Sequence, residues 1–172
     1  EIRVHHHHAG AEQLGFVQVD SINILERAHH LTLWTRFEQY QPSMLAALLE
    51  NKRELFEHWT HDASIIPIKW YPHWRHRFDR YRQRHRTNTW WRERLGERPD
   101  RLIKCVLNRI IKDGPLLSRN FERAAENGSA QSKIGSWWGW KPQKAALEHL
   151  WRCGELAVAR RVNFQKVYDL AE

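Results

Sequence analysis

Gln18 and Asp20 stand two residues apart in Leu14-Gly15-Phe16-Val17-Gln18-Val19-Asp20-Ser21, an amide and a carboxylate set into an apolar segment. Such a pair has hydrolytic potential. A carboxylate takes a proton from water or steadies a developing cation, and a primary amide orients water through one donor and one acceptor. The two form one site only if the backbone is extended, where a period of 2 sends both to one side and Val17 and Val19 to the other. On a helix the same spacing puts them on nearly opposite faces. A plainer reading competes: a polar edge, with Asp20 or Ser21 capping a following helix.

A second constellation lies at His73 to Arg101. It holds ten arginines against Asp79, Glu93, Glu97 and Asp100, a net of +6, while the whole chain carries +8. Trp70, Tyr71, Trp74, Phe78, Tyr81, Trp90 and Trp91 are interleaved with them. Arginines at this density read as a phosphate-tracking surface, with Arg75, Arg77, Arg80, Arg82, Arg84 and Arg86 as contacts. The aromatics read as the inward face of an amphipathic connecting helix. His5-His6-His7-His8 is a run on a polar tail, closer to a tag remnant or solvated segment than to a metal site.

The bulk properties fit a folded, polyanion-seeking protein. The chain has 172 residues, 41% of them hydrophobic, and its pI is near 9.9. That is about one domain, or two small ones. Cys105 and Cys153 are far apart and in no CxxC pair, which argues against a disulfide scaffold or structural zinc and fits a reducing cytoplasm. No apolar run is long enough to span a membrane.

The elements that must position these groups come in a repeated order. A helix is expected from Ser21, with Ile22, Leu25 and Ala28 at helical spacing, then a short apolar segment from His29 to Phe37. Pro42 opens a helix carrying Leu45, Leu48 and Leu49 and ending near Glu50. Leu55–Trp59 and Ala63–Pro67 then pair around Thr60-His61-Asp62. A second round follows. Leu102 to Ile111 is a helix stopped by Gly114-Pro115, and Ser118 caps a short helix at 119–124. Residues 127–136 are a loop. Trp137, Trp138 and Trp140 lead into a helix bearing Leu147, Leu150 and Trp151, closed by Gly154. A last hairpin turns at Arg161-Val162-Asn163. Lys141, Lys144, Glu148 and Arg152 are expected to face away from Leu147 and Leu150, where a helix-turn-helix meets the major groove.

The expected fold is therefore mainly α with small β-hairpin wings (α+β), a tandem winged helix-turn-helix. Its parts are a tail over 1–13, a first winged-helix unit over 14–70, a connecting helix over 71–100 and a second winged-helix unit over 101–172.

Several blocks together carry a resemblance. Gly15-Phe16-Val17-Gln18-Val19-Asp20-Ser21-Ile22-Asn23, His29-His30-Leu31-Thr32-Leu33-Trp34-Thr35-Arg36, Leu55-Phe56-Glu57-His58-Trp59, Trp137-Trp138-Gly139-Trp140-Lys141-Pro142 and Phe164-Gln165-Lys166-Val167-Tyr168-Asp169-Leu170 are similar, in order, to the N-terminal portion of the bacterial AlkZ/YcaQ winged-helix DNA glycosylases. The resemblance implies tandem winged helices that clamp double-stranded DNA. It implies hydrolysis of the N-glycosidic bond of N7-alkylated purines, including those in interstrand crosslinks. Gln18-Val19-Asp20 matches the Gln-apolar-Asp form of the family's active-site motif, with no metal or redox cofactor required. Family chains continue into a further winged helix, so this one reads as a fragment or truncated relative. The expectation is a cytoplasmic, monomeric repair enzyme with no obligate protein partner. A non-catalytic winged-helix regulator is the rival, since it would explain the basic stretch and both hairpins. It gives no reason for Gln18 and Asp20 to share an apolar segment.

Overall fold

The structure, a computed structural model, describes residues 14–121 and 141–171. The His run, the loop at 127–136 and Trp137, Trp138 and Trp140 lie outside them. Two compact units form. One comprises residues up to Trp74 together with Val158–Arg160; the other comprises Arg75–Ala157 and Arg161–Glu172.

In the first unit, strand β1 (Val17–Gln18) pairs antiparallel with β3 (Ala63–Pro67), and β3 pairs with β2 (Leu55–Trp59), giving the sheet order β1-β3-β2. The register sets Val17 opposite Ile65 and Gln18 opposite Ser64. Pairing continues one residue further, because the Val19 amide donates to the Ala63 carbonyl at 2.8 Å. Helix α1 (Ala28–Trp34) and helix α2 (Pro42–Ala46), which runs on as a wider π-type turn through Asn51, lie between β1 and the hairpin in sequence. Pro42 opens α2 because its missing N–H is no loss in a first turn. Val17, Leu33, Leu45, Leu48, Leu55 and Ile65 are buried together around a void of only about 10 Å³. Each such aliphatic contributes roughly 1.5–3 kcal/mol by leaving water.

The helix expected from Ser21 starts seven residues later, at Ala28. The intervening segment is a closed loop. Asp20 Oδ1 accepts from the Ile22 amide at 2.8 Å, and the Arg27 guanidinium donates to the Ser21 carbonyl at 2.7 Å. These side chains offer the backbone partners that compete with a helical ladder. Ile22, Ile24 and Leu25 are exposed, so their spacing marks no buried face. Asp20 caps this turn, not a helix.

Helix α3 (Tyr71–Thr87) leads into the second unit, followed by α4 (Thr89–Leu95), α5 (Pro99–Asp113), β4 (Leu116–Leu117), α6 (Pro142–Arg152), β5 (Leu156–Val162) and β6 (Gln165–Leu170). The Arg/aromatic stretch is thus two helices, α3 and α4, where one was expected. Asn88 is extended, and its side chain accepts from the Trp91 amide as the N-cap of α4. Residues 119–121 are helical where the short helix was expected to begin. Strand β4 pairs with β6, Leu116 opposite Tyr168, and the sheet order is β4-β6-β5. The hairpin turns at Asn163-Phe164, both at positive φ (48° and 66°), two residues later than Arg161. Such primed turns match the twist of the strands they join.

Both sheets share one arrangement. In each, the strand before the helices lies beside the second strand of the closing hairpin. The fold is a mixture of helices and small antiparallel sheets, α+β.

Candidate active site and nucleic-acid interface

Strand β1 places the Gln18–Asp20 pair. Val17 and Val19 are buried beneath it, Gln18 is exposed and Asp20 half-buried, the alternation that extended backbone requires. The amide and the carboxylate therefore leave the same side. Asp20 is steadied by the Ile22 amide, and no cation among the described residues pairs with it.

Pairing of β1 with β3 brings the β2–β3 turn to the side chain of Gln18. Gln18 Nε2 donates to Asp62 Oδ2 at 3.4 Å, and His61 Nε2 lies 3.3 Å from Gln18 Oε1. The Phe16 ring meets the His61 ring edge-on, with centroids 5.8 Å apart. The sequence shows His61 and Asp62 only as hairpin-turn residues. Only the β1–β3 pairing brings them to Gln18.

In the same unit, His30 Nδ1 and Tyr40 Oη lie 2.6 Å apart, and the Trp34 indole donates to the Tyr40 carbonyl at 2.8 Å. Burial pulls the His30 pKa below its ordinary value, outweighing the opposing charge of Glu26. Burial likewise pushes the Tyr40 phenol up, so it stays protonated. These groups tie α1 to the residues before α2.

The arginines lie chiefly on the exposed side of α3. Phe78 and Tyr81 are buried and Trp74 half-buried, a stripe at i, i+4, i+7, while Arg75, Arg80, Arg82, Arg84 and Arg86 are exposed and Arg77 half-buried. Their surroundings differ. Arg82 bonds Asp79 at 2.6 Å and Glu155 at 3.2 Å, so its charge is largely answered within the protein. Arg86 lies 3.7 Å from Asp100, and Arg84 sits 5.0 Å above the Tyr81 ring.

On α6 the expected outward face is not one face. Lys141 and Lys144 are exposed, but Glu148 and Arg152 are buried. The Arg152 guanidinium lies 5.3 Å from the Trp91 ring and 5.8 Å from Tyr81, and burial lowers its pKa against the opposing charge of Glu148. Burial would raise the pKa of Glu148, but Lys166 at 2.9 Å and the Tyr168 hydroxyl at 2.8 Å outweigh it and hold the carboxyl below its usual range. The sequence could not show this, because the partners come from β6 and α4.

A family model described as DNA glycosylase AlkZ-like matches residues 11–172. The chain belongs to the AlkZ-like DNA glycosylase family. No solved structure matches it. DNA glycosylases are repair enzymes that hydrolyse the N-glycosyl bond between base and sugar, so DNA is the substrate class of the AlkZ-like family. The AlkZ-like match runs through both units, and Gln18, Asp20 and the α3 arginines all fall inside it. Among the described residues there is no cluster of His, Cys, Asp and Glu suited to a metal, and no helix long and apolar enough to cross a membrane.

Proposed function

We propose that this chain is a DNA repair glycosylase that removes N7-alkylated purines from double-stranded DNA, including those in interstrand crosslinks. The observation that supports the reading is the alternation of exposed Gln18 and half-buried Asp20 with buried Val17 and Val19 along β1 and the two residues after it, with no described cation pairing with Asp20.

Alkylation at N7 makes the purine cationic, so it leaves readily and needs little acid catalysis. As the bond from C1′ to N9 breaks, its electron pair stays with the departing base and the sugar becomes oxocarbenium-like. The carboxylate of Asp20 stabilises that cation by charge. Gln18 holds a water through its amide, the water oxygen bonds to C1′, and its proton passes to Asp20 as general base. Neither side chain needs a metal or redox cofactor for these steps.

Binding falls to the basic surface. Arg75, Arg77, Arg80, Arg84 and Arg86 on α3, with Lys141 and Lys144 at the start of α6, are proposed to neutralise phosphates whatever the base sequence. Arg82 contributes less because Asp79 and Glu155 already answer it, and Arg152 acts by packing. The shared strand order of the two sheets supports reading residues 14–70 and 101–172 as tandem winged helices joined by 71–100, with 1–13 as a tail. We take the protein to act as a cytoplasmic monomer.

Incubation with duplex DNA carrying a single 7-methylguanine tests this. Free 7-methylguanine and an alkali-labile abasic site are expected, together with unhooking of a duplex crosslinked through guanine N7. Tight binding with every base left in place would instead favour a non-catalytic DNA-binding protein.

A further inference from the structure

We infer that His61 and Asp62, at the tip of the β2–β3 hairpin, are positioning residues that fix the orientation of the Gln18 amide. The inference rests on the reading of Gln18 as the group that holds the attacking water.

A glutamine amide can present either of two faces, since its oxygen and nitrogen are nearly the same size and the terminal torsion is soft. Here the choice is made by chemistry. Asp62 is an acceptor, so it takes an N–H from Gln18 Nε2 at 3.4 Å. Gln18 Oε1 can only accept, so the His61 Nε2 at 3.3 Å must carry a proton and donate. The flipped amide would set its oxygen against the Asp62 carboxylate, a repulsion that no histidine tautomer relieves, so Asp62 selects the amide face and His61 takes the tautomer that donates to it. With one N–H and one lone pair so engaged, Gln18 keeps one of each for a water.

Both partners are themselves held. Asp62 Oδ1 accepts from the Ala63 amide at 2.8 Å, and the Asp62 carbonyl accepts from the Thr60 amide at 2.9 Å. Thr60 Oγ1 lies 2.9 Å from the hydroxyl of fully buried Ser64, which is the residue paired with Gln18 across the sheet. Thr60 Oγ1 is also 3.3 Å from His61 Nδ1, and Phe16 packs edge-on against the His61 ring. The hairpin tip thus meets Gln18 at two points, and its register with Gln18 is set by the strand ladder. Partners that orient metal ligands matter by roughly 10- to 100-fold, and the lower end of that range is the effect expected for partners that orient a water-holding amide.

The test uses the full chain and two readouts. In single-turnover base release from 7-methylguanine duplex, His61→Ala and Asp62→Asn should each slow the rate by roughly ten-fold with DNA affinity unchanged. Asp62→Asn is informative because one amide oxygen cannot serve both Ala63 and Gln18. His61→Gln, which keeps an N–H donor, should recover most of the rate. In a Gln18→Ala background neither change should slow release further, a non-additivity that general loosening of the fold would not produce. The second readout needs no activity. The side-chain N–H₂ resonances of Gln18, assigned by their loss in Gln18→Ala, should shift in both variants while the Val17 and Val19 backbone amides do not. Resonances unmoved by either change would overturn the inference, as would additive losses in the Gln18→Ala background. A wild-type rate in Gln18→Ala itself would refute the role given to Gln18, which is a separate failure.

Discussion

The Asp20 carboxylate accepts from the Ile22 amide, and no cation among the described residues pairs with it, which suits the charge role proposed for it. At the opposite end of the polarity scale, Cys153 is buried, and burial pushes its thiol up to about 11, while Cys105 is exposed. A thiol-reactive probe at neutral pH should therefore label Cys105 in the folded protein and reach Cys153 only after denaturation. Equal labelling in the native state would contradict the burial. Glu148 offers a second test. Its folded pKa lies below that of the unfolded chain, so its contribution to stability is complete above the ordinary carboxyl range and is lost as pH falls through the folded value. Lys166→Met would leave buried Glu148 without the cation that bonds it, with only the more distant charge of Arg152, and should cost about 3 kcal/mol at pH 7 in urea unfolding. The deficit should shrink at pH 4, where Glu148 can protonate; a deficit equal at both values would show that the pair is not coupled.

At the scale of elements, the strand and hairpin positions were the most legible part of the sequence. The alternation around Gln18 follows period 2, and the pairing of Leu55–Trp59 with Ala63–Pro67 follows from two apolar runs set either side of Thr60-His61-Asp62. Helix starts were less legible. Ile22 and Leu25 have helical spacing, yet Asp20 and Arg27 close a loop there, a competition that a periodicity count does not register. The end of α6 was readable because Gly154 sits at φ +75°, and a Cβ there would come within 2.6 Å of the Phe78 ring. Gly154→Ala should accordingly lower stability by about 3 kcal/mol, from backbone strain plus displacement of Phe78; a neutral effect on thermal unfolding would contradict that packing. On α3, replacing Arg75, Arg80 and Arg84 together by Gln should flatten the plot of log affinity for duplex DNA against log salt by roughly 2–3 units of slope. Arg82→Gln alone should change the slope by well under one unit, because Asp79 and Glu155 already answer it. Equal slopes for wild type and the triple variant would show that α3 does not meet phosphates.

Across the whole molecule, a strand, helices and closing hairpin recur in both units with the same strand order, and the family match covers both. The helices-then-hairpin repetition was visible in the sequence, as was the basic character that suits a DNA substrate. What was hidden depends on partners distant in sequence: the contacts of His61 and Asp62 with Gln18, and the burial of Glu148 and Arg152 by groups from β6 and α4. In the proposed reaction Asp20 supplies the negative charge that meets the sugar cation. Single-turnover release of 7-methylguanine by Asp20→Asn, measured beside its affinity for the same duplex, tests it most directly. The rate should fall by roughly 100-fold or more while the affinity stays within about two-fold of wild type. Release at the wild-type rate by Asp20→Asn would contradict it.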